Sequence, residues 1–267
     1  MTSNGPVRSA FAVPAESYDR MIGRFLPTLA PAFADAAGIT GGMRVLDVGC
    51  GPGGLTGELV RRVGADRVAA VDPSGPFVEA CRQRLPEVDV RQGVAETLPF
   101  ADGTFDAALA SLVVGFMTDP VAGLREMARV TAPGGTVAAC FWDYDRMPSI
   151  QLFWAAAARI DPSAGDDRAR PGGAAGELAA LLREAGLRDV EPGEVRAGAG
   201  YADAEDWWSA FTLGVGPVGA YYKALPPERR NALRAECLAL LGRADGAFTL
   251  EATAWFARGV VGAGPGR

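Results

Sequence analysis

The sequence predicts an α/β fold: a parallel sheet with helices on both faces and a helical lid toward the carboxyl-terminal half. Three observations carry that expectation. Short apolar runs alternate with helix-length amphipathic segments from residue 44 to 142, the rhythm of strands joined by crossover helices. A glycine-rich turn follows the first of those runs. After Trp142 the alternation gives way to a helical excursion before strand-like patterning returns at the end of the chain.

Taken in order, residues 16–37 read as a helix interrupted near Pro27 and Pro31 and stopped at Gly38, because proline removes a backbone donor and clashes with the preceding turn. Strands are expected at 44–48, 67–72, 89–93, 105–112 and 136–142, with helices at 55–63, 76–85 and 121–130 between them. The Pro133-Gly134-Gly135 turn closes the last of these helices. Beyond it, helices are expected at 150–160, 176–185, 203–213 and 227–241, with strands at 188–196 and 248–258 and a polar loop at 161–173. Residues 1–13 and 260–267 hold few apolar anchors and are expected to be loosely ordered.

Composition narrows the function classes. Apolar residues make up 49% and charged residues 22% of the 267, ordinary for a globular core. No run reaches the ~18 apolar residues of a membrane span, and 1–14 has no stretch of signal-peptide length, so a cytoplasmic location is expected. The net charge is −6 with no cluster of Lys or Arg, which disfavours nucleic acid as a partner. The four cysteines, Cys50, Cys81, Cys140 and Cys237, are scattered without a metal-binding spacing. There is no histidine and one lysine, Lys223, so the commonest general base is missing and no metal is expected.

The strongest feature is Val45-Leu46-Asp47-Val48-Gly49-Cys50-Gly51-Pro52-Gly53-Gly54. Glycines at a strand-to-helix turn let the backbone approach a ligand closely, and the next helix aims its N–H groups at it. Asp72 ends the following strand, where an acid accepts hydrogen bonds from both hydroxyls of a ribose. Together they indicate an adenosine-containing ligand without saying which.

The segment 45–54 resembles the first signature of the class I S-adenosylmethionine-dependent methyltransferases, in which an acid, here Asp47, precedes the first glycine. Further matches follow in the family's order: Val71-Asp72-Pro73-Ser74, Ala95-Glu96-Thr97-Leu98-Pro99-Phe100, Asp102-Gly103-Thr104-Phe105-Asp106 and the Pro133-Gly134-Gly135 turn. The core is similar to that of the methyltransferases of ubiquinone and menaquinone biosynthesis, over roughly residues 15–142. The resemblance implies a Rossmann-like, seven-stranded, mostly parallel sheet with one antiparallel strand. It implies a single methyltransferase domain over 1–267: a helical cover at 14–40, a cofactor core at 41–145, and the lid with closing strands at 146–260. The implied cofactor is S-adenosyl-L-methionine.

Position by position, the resemblance places Gly49, Cys50, Gly51 and Gly53 against the methionine part, Asp72 and Pro73 at the ribose, and Ala95 and Glu96 at the adenine. Ser111 and Leu112 fall beside the sulfonium, and Tyr18 and Arg24 over the carboxylate end. Asp47 either contacts the ligand or fixes the turn. Glu96 has a rival reading as a solvated loop acid, and Arg24 as a surface cation. Two departures stand out: Val94 occupies a position where many relatives have an acid, and Gly115 one where relatives often have histidine.

Methyl transfer needs alignment more than acid–base help, but an alcohol or phenol acceptor needs a base. Asp143 and Tyr144, after the fifth strand, are the first candidates, with a plain polar loop as the rival reading. All five tryptophans lie from Trp142 onward. Phe116, Trp142, Trp208, Phe211 and Tyr221 are therefore expected to line an apolar acceptor pocket, unless they pack the lid. The expected reaction is methylation of a small, partly hydrophobic molecule, by a chain that is a monomer or a homodimer. The alternatives are non-methylating chemistry of the cyclase or decarboxylase type, and cofactor binding without turnover; hydride transfer with NAD is more remote.

Overall fold

The computed structural model describes residues 13–165, 170–242 and 245–262. Seven strands form one sheet in the order β3-β2-β1-β4-β5-β7-β6: β1 (Val45–Val48), β2 (Val68–Asp72), β3 (Asp89–Gln92), β4 (Phe105–Ser111), β5 (Thr131–Trp142), β6 (Arg188–Tyr201) and β7 (Phe248–Val260). β1 to β5 pair in parallel, and β7 runs antiparallel to both β5 and β6. The expected single reversed strand is therefore β7. Every residue of β1 and β2 is buried, as a strand covered on both faces requires.

The covering helices are α1 (Ala15–Met21), α2 (Leu26–Ala36), α3 (Gly54–Val63), α4 (Gly75–Arg84), α5 (Pro120–Val130), α6 (Pro148–Ile160), α7 (Glu177–Glu184), α8 (Ala204–Phe211), α9 (Gly216–Ala224) and α10 (Pro227–Leu241). Among the described residues no helix is long and apolar enough to cross a membrane.

Several boundaries differ from expectation. The break in the amino-terminal helix is a 3-10 turn at Gly23–Phe25 rather than at the prolines. Pro27 sits in the first turn of α2, where its missing N–H leaves no bond unmade, and Pro31 is carried inside the same helix. β5 begins at Thr131, because the Pro133-Gly134-Gly135 segment loops out between the pairs Phe105–Thr131 and Ala107–Thr136. Gly134 takes φ +81° there.

β6 runs past Arg196 to Tyr201. Ala197-Gly198-Ala199-Gly200 has weak strand propensity, but pairing with β7 holds it. Thr28 also accepts from the Gly198 N–H at 2.9 Å. α9 was not anticipated; its start at Gly216-Pro217 and poor amphipathicity hide it. Of the termini expected to be loose, Val13 is buried and Val260 pairs with Thr136. Residues 1–12 and 263–267 lie outside the described residues, as do 166–169 of the expected loop.

β1 and β4 are neighbours whose connections leave in opposite directions along the sheet. The carboxyl ends of such a pair diverge and open a crevice. The functional candidates converge on it.

Candidate functional site

β1 turns sharply into α3. The Gly49 and Cys50 N–H groups both donate to Val71 O, at 2.7 and 3.1 Å, tying the turn to β2. Gly49 has φ +75°, and a Cβ there would lie 2.3 Å from Val113 Cγ2, so both conformation and space require glycine. Gly51 also has positive φ, and its nearest neighbour to an added Cβ is Tyr18 Cε1 at 4.0 Å. Its backbone therefore faces open space.

That space is a cavity of about 330 Å³, within the range of small-molecule sites. Of the residues that the resemblance assigns to the cofactor, the structure brings Tyr18, Gly49, Gly51, Asp72 and Pro73 to its wall, joined by Ala95, Glu96, Ser111 and Leu112.

Asp72 is 6% exposed and accepts from the Gly51 N–H at 2.9 Å and the Ser74 N–H at 2.8 Å. A carboxylate has about four acceptor positions, so two remain for ligand hydroxyls. Burial pushes its pKa up to about 6, against the lowering effect of those two bonds. Tyr18, on α1, packs its ring 5.3 Å from that of Phe77, and both line the cavity. Its hydroxyl is raised above its usual pKa by burial and by the neighbouring Asp72. Leu112 holds φ +62° at the end of β4, a conformation costly for a branched side chain; its N–H donates to Cys140 O at 2.9 Å. Glu96 lines the cavity and also accepts from the Thr118 and Asp119 N–H groups, at 2.7 and 3.3 Å, pinning the loop after β4.

Four assigned residues lie elsewhere. Arg24 is ion-paired to Asp206 through contacts of 2.8 and 2.5 Å, donates to Gly200 O, and lies over the Tyr201 ring. It clamps the 3-10 turn after α1 to β6 and α8. Asp47 is fully buried beneath the turn, with Oδ2 accepting from Thr56 at 2.7 Å and Oδ1 unpartnered. Burial pushes its pKa up to about 7, with Asp72 adding to the shift, so near neutrality the carboxyl is partly protonated. Cys50 is buried within the turn. Gly53 caps α3 at φ +98°, where a Cβ would lie 3.0 Å from Cys81 Sγ.

The catalytic and acceptor candidates also divide. Asp143 accepts from the Asp145 N–H at 3.0 Å and from Arg146 Nε at 2.5 Å. Its oxygens cap a turn and close an ion pair, and it lines neither cavity described here. Tyr144 walls a second, smaller cavity of about 60 Å³, together with Trp142 and Phe116. Trp208, Phe211 and Tyr221 do not. Phe211 packs 5.0 Å from both Phe153 and Trp207, Trp208 packs on Tyr222, and Tyr221 on Trp154. These three fasten the helical excursion together.

A Cβ at Gly115 would lie 2.3 Å from the Phe141 ring, which leaves no room for an imidazole there. Sequence reasoning missed Phe77, Val113 and Met117 in the first cavity and Met21, Met147 and Val218 in the second. Phe77 had a signal, its place just after Asp72-Pro73-Ser74; the others are ordinary apolar residues.

Comparison with known proteins agrees with this geometry. Residues 46–139 match the family model described as "Methyltransferase domain". A demethylmenaquinone methyltransferase of Renibacterium salmoninarum is 42% identical over 101 residues, covering 38% of this chain and 42% of that protein. The chain spans about a third to a half of the length of the curated relatives it matches. Among solved structures, an S-adenosylmethionine-dependent methyltransferase of Thermotoga maritima superposes with TM-score 0.54 at 18% identity, covering 92% of this chain and 94% of that one. The cyclase SpnF superposes equally well, with TM-score 0.55 at 21% identity over 88% of this chain and 81% of its own. At such identities the likeness speaks for the fold and leaves the reaction open. The glycine turn and Asp72 both lie within residues 46–139, the segment that matches the methyltransferase domain model.

Proposed function

We propose that the chain transfers a methyl group from S-adenosylmethionine to a small, partly hydrophobic molecule. The observation that carries this reading is the buried Asp72 carboxylate, held by the Gly51 and Ser74 N–H groups and exposed to the cavity. It is a preorganised acceptor pair for ribose hydroxyls beside a glycine turn with an open face. Bound there, the cofactor would supply a methyl already activated on a sulfonium. The chain's own residues would then orient and enclose: Asp72 the ribose, Ala95 and Val94 the base, Gly49 and Gly51 the amino-acid end, and Tyr18 as a cover that keeps water out.

An apolar acceptor is supported by the uncharged second cavity beside the first, and by the match to a relative named for demethylmenaquinone. The four free, buried cysteines support a reducing, cytoplasmic setting. The net charge of −6 supports a small molecule over nucleic acid.

The test is calorimetric titration with S-adenosylmethionine, S-adenosylhomocysteine and NAD, followed by assay for S-adenosylhomocysteine release with candidate acceptors. Micromolar binding of the first two and none of NAD is expected. Binding of NAD alone would overturn the reading.

A further inference from the structure

The loop after β4 walls the first cavity with Leu112, Val113, Phe116, Met117 and Thr118. It begins at Leu112 with φ +62°, a conformation that persists only where the surroundings hold it. A 3-10 turn at Val114–Phe116 follows, and the loop ends at Asp119, the residue that caps α5. Whatever fixes that far end therefore helps to set the shape of the wall.

The cap itself is half built. The Asp119 carboxylate accepts from the Ala122 N–H at 2.9 Å, the first bond of a capping box. The second bond runs from the cap residue's own N–H to a Glu or Gln three positions on. Alanine stands there and cannot accept it. Glu96, from the segment after β3, takes that place: its Oε1 accepts from the Asp119 N–H at 3.3 Å and from the Thr118 N–H at 2.7 Å. Its negative charge also lies by the amino end of α5, where the helix favours one. Further along, the same segment is stapled to α5. The Leu98 N–H donates to Glu126 at 2.9 Å, and Arg129 donates to the Leu98 and Phe100 carbonyls at 3.1 and 3.0 Å. Glu96 closes this frame at the end that meets the cavity.

We propose that Glu96 is a positioning residue for the cofactor site: by completing the α5 cap from outside the helix, it latches the loop 112–119 where its side chains wall the cavity, without reading the ligand itself. The proposal rests on that cavity being the cofactor site. It gives a carboxylate beside Val94 and Ala95 a use that needs no contact with the base. Because the loop is held before the ligand arrives, binding has less of it left to order.

The test compares wild type, Glu96→Ala and Glu96→Gln by hydrogen exchange at 112–119 in the ligand-free protein and by calorimetric affinity for S-adenosylhomocysteine. Alanine offers no acceptor, so exchange in the loop should quicken about fivefold and affinity should fall about three- to tenfold. Exchange in β1 and β2 should not change, which shows that the variants fold. Glutamine keeps an oxygen able to accept both bonds, so it should recover most of both losses. Equal affinity losses in the two variants with unchanged loop exchange would mean that the carboxylate touches the ligand, and would overturn the proposal. An alanine variant indistinguishable from wild type would overturn it as well. Should the wild type bind no S-adenosylhomocysteine, the cofactor reading falls; quickened loop exchange in Glu96→Ala alone would still uphold the latch, and unchanged exchange would remove it.

Discussion

The strand-end turn at 45–54 and the aromatic excursion at 143–241 use their side chains in opposite ways. In the turn, glycines strip side chains away so that backbone and the Asp72 carboxylate meet open space. In the excursion, large rings fill space: Phe153, Trp207 and Phe211 are all but inaccessible and lie against one another. One region is built to receive a ligand and the other to hold a roof. Substitutions in the two should therefore separate binding from stability.

The largest effect should come from the roof. Phe211→Ala removes a ring that is 1% exposed, and emptying such a site costs about 3–5 kcal/mol. Urea unfolding should show that loss, while calorimetry at low temperature finds S-adenosylhomocysteine affinity unchanged. A variant that keeps its stability but loses affinity would place Phe211 in the site and erase the contrast between the regions.

The reverse signature belongs to Asp72→Ala. Loss of charge-assisted bonds to a ribose should weaken S-adenosylhomocysteine binding by about 1.5–3 kcal/mol. The Gly51 and Ser74 N–H groups lose their acceptor at the same time, so a smaller fall in stability should accompany it. Unchanged affinity would show that the carboxylate only braces the turn.

The same contrast explains what the sequence disclosed. Gly49 and Gly51 were readable because positive φ and close approach leave few other residues possible, and Asp72 because an acid at a buried strand end has few structural uses. The count of seven strands and the one reversed strand came from the resemblance, and the strand order from the structure. The aromatic rings were readable only as buried mass. Residue type says that Trp142 and Phe211 avoid water, but not that Trp142 walls a cavity while Phe211 meets Phe153. Asp143 and Arg24 lie away from the walls of both cavities for a related reason. Each stands near the site in sequence, yet a partner distant or local, Asp206 or Arg146, takes its charge.

Arg24 offers a smaller test of that explanation. Its side chain is 19% exposed and Asp206 24%, so the pair is partly screened. Arg24→Ala should cost about 1 kcal/mol of stability, including the stacking on Tyr201, and should move S-adenosylhomocysteine affinity by less than about twofold. A loss near that of Asp72→Ala would return Arg24 to the cofactor's carboxylate end.

The pH dependence has a sign that few other arrangements share. Asp72 and Asp47 hold their protons up to about 6 and about 7 in the folded chain, against about 3.9 when unfolded. The stability they contribute is whole below the unfolded value and is lost as pH rises through 6 and 7. The ion-paired acids Glu58, Glu126 and Asp206 are shifted downward, so their losses begin only at lower pH. Between pH 7.5 and 5 the melting temperature should therefore rise. Ribose hydroxyls favour the ionised carboxylate, so over the same interval S-adenosylhomocysteine affinity should fall, by up to about tenfold per unit below the Asp72 pKa. Asp72→Asn, which does not titrate, should bind more weakly at pH 7.5 and show a nearly flat affinity profile. Affinity in the parent protein that rises with stability toward pH 5 would mean that the ligand meets a neutral Asp72, and the ribose contact would have to be reassigned.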